Sequence, residues 1–231
     1  IIVLDEEGKR EIQSIYNIFS DDIASVTRVD EKGYIVYTFP YDYRSIRRDI
    51  SYQSHIKEIM KTLRPVVSDV ITTVQGFRAI ALHVPVFQGM EYKGTLGILI
   101  RFENIAKKYL ENIRIGNEGY AWMISKEGTE LYCPVPGHTG KTVFENCKDF
   151  PTIISMAQEM VKGKSGVTTY MFNRIREKTD ETITKHAVFL PVNVGNTIWS
   201  IVVATPDREV LSGMEKFRNK LILIFGILLL A

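Results

Sequence analysis

A strand-turn-strand pattern that the chain states twice constrains its fold more than any other feature. The first copy, residues 26–40, reads VTRVDEKGYIVYTFP, and the second, residues 120–134, reads YAWMISKEGTELYCP. Each joins two apolar-rich runs through a polar turn closed by glycine, Gly33 or Gly128, and each ends at proline. Glycine tolerates the positive φ of a tight turn, so both copies read as β-hairpins. A second echo follows in the same order and at a similar offset: LHVPVFQGMEYKGTLGILI at 82–100 against VFLPVNVGNTIWSIVVA at 188–204. Two echoes in register describe two copies of one module of about a hundred residues, an ordinary domain size.

Composition narrows the function. The 29 basic and 27 acidic residues are interspersed, and the net charge of +2 leaves no basic face for a phosphate backbone. With no DNA- or RNA-reading motif either, nucleic acid is excluded as a partner. No Gly-rich phosphate loop, HExxH, GxSxG or CxxC occurs, so no catalytic residue and no cofactor is expected in this segment. Cys133, His138 and Cys147 fall in a C-x4-H-x8-C spacing. That supplies three ligands and fits no common structural-zinc pattern, so no metal is expected. The two cysteines, too few for a disulfide scaffold, form either one disulfide in an oxidising compartment or two free buried thiols.

Taken in order, residues 6–22 carry Ile12, Ile15, Tyr16 and Phe19 as one apolar helical stripe. Strands are expected at 23–29 and 34–39, and a mostly helical region at 41–64 that Pro65 ends. Three β-rich stretches (66–74, 77–87 and 95–102) and a connecting helix at 103–115 complete the first module. The second repeats the order: a hairpin at 119–133, a loop, a helix at 151–162, and strands at 166–172, 184–192 and 197–205. Two strands, helices and three strands give an α+β fold, with each module a five-stranded antiparallel sheet and its helices on one face, a PAS-like layout. The domains are thus an N-terminal helix (1–22), two PAS-like modules (23–115 and 116–205), and a C-terminal segment (206–231).

That last segment is read as a juxtamembrane helix opened by Pro206. It passes without a breaker into LILIFGILLLA at 221–231, which lacks any polar side chain. A bilayer span needs about twenty apolar residues. The run is half that length and is read as the beginning of a transmembrane helix, with Ile1, Ile2, Val3 and Leu4 the tail of an earlier one.

These features resemble the extracellular double-CACHE sensor family of tandem PAS-like domains. The carrying residues are VDEKGYIVYTFP, DISYQSHI at 49–56, the HVPVF and GTLGILI pair, IRIGNEGYAWMISKEGTELYCPVPGHTGK, and TIWSIVVATPDREV. The resemblance implies the ligand-sensing domain of a membrane-bound signal-transduction receptor on the extracellular or periplasmic side. It favours a sensor histidine kinase of a two-component system, working as a homodimer. The alternative is a membrane-anchored binding protein or a chemoreceptor ectodomain without kinase output.

The resemblance also places the ligand site in the first, membrane-distal module. The family's helix-to-strand motif, D-x-S-x-R-P-(W/Y)-(F/Y), here has Gln53, Ser54 and His55 in place of arginine, proline and the aromatic residue. Amino-acid-binding members carry acidic residues where this chain has Thr72 and Leu99, so an α-amino acid is disfavoured, since a buried ammonium needs a carboxylate partner. The expected ligand-binding residues are Ser51, Tyr52, Gln53, His55, Thr72, Arg78, Leu99 and Arg101. Arginine with histidine and hydroxyls suits a carboxylate or another small anion. If Leu99 faces the pocket, Arg101 does too, unless it lies past the strand end in solvent. His83 reads as a satisfied strand residue.

Overall fold

The computed structural model describes residues 4–173, 175, 181–212, 218, 220 and 222, with the backbone alone at 105 and 106. The expected membrane-span residues at 1–3, 221 and 223–231 lie outside the described residues. No helix among the described residues is long and apolar enough to cross a membrane.

Helix α1 (Glu6–Phe19) starts where the Asp5 carboxylate accepts a 2.8 Å hydrogen bond from the Gly8 amide, satisfying a donor the helix itself cannot. Five strands follow in two groups: β1 (Ile23–Val29) and β2 (Ile35–Phe39), then β3 (Val66–Thr72), β4 (Arg78–Gln88) and β5 (Glu91–Ile100). Helix α2 (Ser54–Thr62) lies between the groups. The second half has α3 (Phe102–Leu110), β6 (Tyr120–Ile124), β7 (Glu130–Tyr132), α4 (Val143–Asn146), α5 (Pro151–Met160), β8 (Gly166–Asn173), β9 (Thr182–Val194) and β10 (Thr197–Pro206).

Both halves form five-stranded antiparallel sheets with the same strand order, β2-β1-β5-β4-β3 and β7-β6-β10-β9-β8. The repeated hairpins are the first pair of strands in each, and Gly33 and Gly128 adopt φ of +91° and +83° at their turns. The first pair of echoes is thus a repeated edge, and the second pair is the long β4–β5 and β9–β10 hairpins at the centre.

Helices flank both faces of each sheet, where one face was expected. On the first sheet, α1 lays Ile12, Ile15 and Tyr16 over Ile23, Val26, Ile98 and Ile100. The Tyr16 ring meets Phe39 edge-on at 5.3 Å. Val29, three residues beyond Val26, faces the opposite side and packs with Ile35, Ile50 and Ile56 beneath α2. The expected helical stripe is therefore buried in part, since Phe19 stays exposed. The second sheet repeats the plan, with α3 on one face through Leu110 and Ala121 and with α5 on the other through Ile153, Met156 and Ala157.

Residues 41–53 are turns and one isolated bridge (Tyr34 to Asp49), so the expected helical region shrinks to α2. Asp42 and Asp49 bend this segment by accepting hydrogen bonds from Arg44 and Ser51 amides, which competes with helix. Helix α4 is an addition to the expected elements, capped by the Thr142 side chain. The two sheets meet through Ile80, Phe102 and Leu131, with Trp199 and Met123 at the rim. Polar links cross the same junction: Ser125 Oγ donates to Asp69 (2.9 Å), and the Val67 amide donates to Asn196 Oδ1 (2.6 Å).

Candidate functional site

Beneath α2 and the 41–53 segment, the first sheet lines a partly open cavity of about 30 Å³. Its floor is β1, β4 and β5 (Thr27, His83, Gly97 and Leu99), and its roof includes Ile50, Gln53 and His55. Thr73 and Gln75, from the tight turn after β3, close one end.

Two histidines dominate it. His55 sits in the first turn of α2 and His83 in the middle of β4, both 3% exposed. Gly97, paired with His83, makes room for the ring, since a Cβ there would lie 2.4 Å from His83 Cε1. His83 Nδ1 shares a 2.8 Å hydrogen bond with Thr95 Oγ1. Both ring nitrogens of His55 are buried without a hydrogen-bond partner, as is Gln75 Oε1. Burial lowers the His55 pKa to about 4. Burial, and then the neighbouring His55, lowers that of His83 to about 3. Both rings are therefore neutral at pH 7, and the lining has no Asp, Glu, Lys or Arg. Such a site offers hydrogen-bond donors and acceptors between apolar walls.

The structure brings together three of the expected residues: Gln53, His55 and Leu99. The other five lie outside the cavity lining. Ser51 is in the turn that presses against Gly33, and Tyr52 is 65% exposed. Thr72 pairs with Arg78 at the end of the sheet, and both are exposed. An irregularity between Val67 and Val70 shifts the register of β3, and Thr73 takes the cavity position. Arg78 donates to the Gly140 carbonyl of the other half. Arg101 lies past the end of β5, exposed, with its guanidinium 5.4 Å from the Phe77 ring. Sequence reasoning passed over Thr27, Thr73 and Gln75, and set His83 aside. The available signal was a polar residue at an inward-facing strand position, as Thr27 is two residues before Val29 on the α2 face of β1.

The second sheet has a cavity of about 20 Å³ at the equivalent face, bounded by Tyr120, Glu130, Cys133, His138, Cys147 and Tyr170 among others. Lys185, 1% exposed, donates to Tyr120 Oη (3.1 Å) and to the Asn173 carbonyl (2.8 Å). Cys133 and Cys147 are free thiols. Burial, then the charge of Glu130, raises the pKa of both, that of Cys147 to about 12.

Two sheets of identical strand order in tandem, each flanked by helices and each lining a small cavity, define an α+β sensor domain built of two PAS-like modules. The family comparison agrees. The HK/GC/Chemotaxis protein-like sensor domain matches residues 5–101. The Cache 3/Cache 2 fusion domain matches residues 95–220, more than half the chain, and the chain belongs to this family of Cache sensor domains.

Solved structures show the same fold. The extracellular ligand binding receptor from Desulfohalobium retbaense DSM5692 is 23% identical with a TM-score of 0.67. It matches 88% of this chain, which spans 34% of that receptor's length. The extracellular domain mmHK1S-Z3, from a candidate histidine kinase, has a TM-score of 0.71 at 15% identity and covers 91% of this chain and 82% of its own. The ligand-binding domain of the Pseudomonas aeruginosa PAO1 amino acid chemoreceptor PctC, in complex with GABA, has a TM-score of 0.62 at 20% identity, covering 89% and 83%. No curated protein matches the chain.

Proposed function

We propose that this chain is the extracellular or periplasmic ligand-sensing domain of a membrane-anchored, homodimeric receptor, and that the distal cavity under α2 takes a small molecule. One observation carries the reading: His55 holds two buried, unpartnered ring nitrogens against a cavity that contains no charge. A buried polar atom without a partner costs about 1–3 kcal/mol, which a hydrogen-bonding ligand would recover. The modules proposed are 23–115 and 116–205, with the apolar run at 221–231 as membrane anchor and a sensor histidine kinase as the favoured output. A chemoreceptor output is the second reading, and PctC, whose ligand-binding domain is solved with GABA, supports it.

The lining favours an uncharged, hydrogen-bonding ligand such as an amide, urea or heterocyclic base. The small-anion expectation rested on Arg78 and Arg101, and both point elsewhere. Arg78 remains the residue through which a carboxylate would act. A cavity of about 30 Å³ holds one or two water-sized molecules. A larger ligand extends through the open side of the cavity or displaces α2 and the 41–53 segment, and in the second case binding selects another arrangement of the cap. A ligand shifts that equilibrium only by its differential affinity for the two arrangements.

A thermal-shift screen of the chain against neutral heterocycles, amides, amino acids and carboxylates tests this, since binding to the folded state raises the midpoint. The expected hit is uncharged and loses at least tenfold in affinity in His55→Ala, whereas Arg101→Ala binds normally. A carboxylate hit lost in Arg78→Ala and kept in His55→Ala would sink the uncharged-ligand reading. Ligand-dependent autophosphorylation of the full-length receptor tests the kinase output.

A further inference from the structure

We propose that Glu130, Cys133 and His138 in the second module form a three-ligand binding site for a borderline-soft divalent metal ion, zinc above all, with the fourth position open to water. One potential ligand atom from each of the three lies within 4.8 Å of the other two. Four tetrahedral ligands at ordinary zinc distances stand ~3.3–3.8 Å apart. Side-chain rotation of about an ångström therefore closes the three onto an ion.

The sequence spacing alone argued against this site because it showed one histidine and two cysteines. The missing member is Glu130, which follows the turn residues Gly128 and Thr129 and opens β7. It is 1% exposed, and its Oε2 has no hydrogen-bond partner although His138 Nδ1 is 3.3 Å away. The second carboxylate oxygen is therefore buried without the hydrogen bond that such atoms ordinarily have. An ion pair would need His138 charged, whereas a metal ion compensates the carboxylate with the imidazole neutral.

The surroundings hold the ligands in place. Asn146 Nδ2 donates to Glu130 Oε1 (3.3 Å) and to the His138 carbonyl (3.0 Å), so one amide fixes the strand and the loop together. The 134–141 loop turns on Gly137 and Gly140, both at positive φ, and its Gly140 amide donates to the Glu130 carbonyl (2.7 Å). A mixed sulfur, nitrogen and carboxylate set suits zinc better than magnesium or calcium, which prefer oxygen alone. On binding, the Cys133 S–H bond is replaced by a metal–sulfur bond and the proton passes to solvent.

The test is a Co²⁺ titration of the reduced, chelator-stripped chain. The expected result is a thiolate-to-cobalt charge-transfer absorption that saturates at one equivalent and is displaced by Zn²⁺. Cys133→Ser is expected to abolish that absorption, and His138→Ala to weaken binding by at least about tenfold. Circular dichroism checks that each variant is folded. If a variant does not fold, the wild-type chain decides: Zn²⁺ is expected to protect a thiol from alkylation, and chelator to restore its reactivity. Absence of the charge-transfer band in the reduced wild type, or unchanged affinity in folded His138→Ala and Cys133→Ser, overturns the site. The readout needs no small-molecule ligand, so it is independent of the distal-cavity reading.

Discussion

The imidazole rings of His55 and His83 face one another across the distal cavity with centroids 5.1 Å apart and planes inclined at 47°. One ring comes from the roof and the other from the floor, so the pair joins the cap to the sheet. Protonation of either would bury a charge with no acid residue in the cavity lining to balance it. That makes the pair a reporter of how tightly the cap is closed.

A loss of stability in acid follows. Burial holds both histidines below the ordinary histidine pKa of 6.5, at about 4 and about 3. Above pH 6.5 neither state binds the proton and the pair has no pH effect. Below it the unfolded chain binds protons that the folded chain refuses, so stability falls as pH drops from 6.5 towards those values. The His55 shift corresponds to on the order of 3 kcal/mol by pH 4. Urea unfolding at a series of pH values is expected to show this loss, flattened in His55→Gln. Parallel profiles for the two proteins would contradict it.

Gly97→Ala should damage the cavity without removing a hydrogen-bonding group. The added Cβ would stand 2.4 Å from His83 Cε1 and 2.6 Å from Nε2, forcing the ring to move or the strands to part. Overpacking of this kind costs about 1–3 kcal/mol. A lowered melting temperature and loss of any ligand identified by screening are expected. A variant with wild-type stability would show that the ring has room the structure does not display.

The contact between the two sheets is expected to be carried mainly by apolar packing. Leu131 is 1% exposed and packs with Phe102 at the start of α3 and with Ile80 of the first sheet. Leu131→Ala is expected to cost about 2–5 kcal/mol. Asp69→Ala removes the 2.9 Å bond to Ser125 and is expected to cost about 1 kcal/mol. Denaturant midpoints of the two variants compare them, and a larger effect from Asp69 would assign the junction to polar contacts.

Glu209 links the segment leaving β10 to the start of the second module. Its carboxylate accepts from the backbone amides of Asn117 (2.9 and 3.1 Å) and Glu118 (3.0 Å). Any displacement of helical residues 207–212 therefore acts on the turn at 117 and 118 that precedes β6. Glu209→Ala is expected to cost about 1 kcal/mol and to speed amide exchange at 117 and 118. Glu209→Gln, which keeps an acceptor, should fall between. Unchanged exchange in both variants would remove this link.

The strands were legible because their signals are local. Alternation at 23–29, the glycine turns and the prolines at the hairpin ends mark β1, β2, β6 and β7 without reference to anything distant. Local pattern also misled at 41–53, where isoleucines at helical intervals occupy a chain of Asp- and Ser-stabilised turns. Short polar side chains that bond their own backbone defeat a periodicity argument.

The sequence by itself determined two modules with one strand plan and the helices that accompany them. Each of these rests on side-chain period and turn chemistry, which operate over a few residues. Only the tertiary structure decided the contents of the sites. A register shift in β3 exchanged Thr72 for Thr73, and Arg78 and Arg101 turned to Gly140 and Phe77. His83 entered the distal cavity because Gly97 beside it has no side chain, and Glu130 joined Cys133 and His138 because a glycine-turned loop folds back over β7. Which side chains converge depends on pairing register and loop closure between distant segments, and these are settled only when the sheets form.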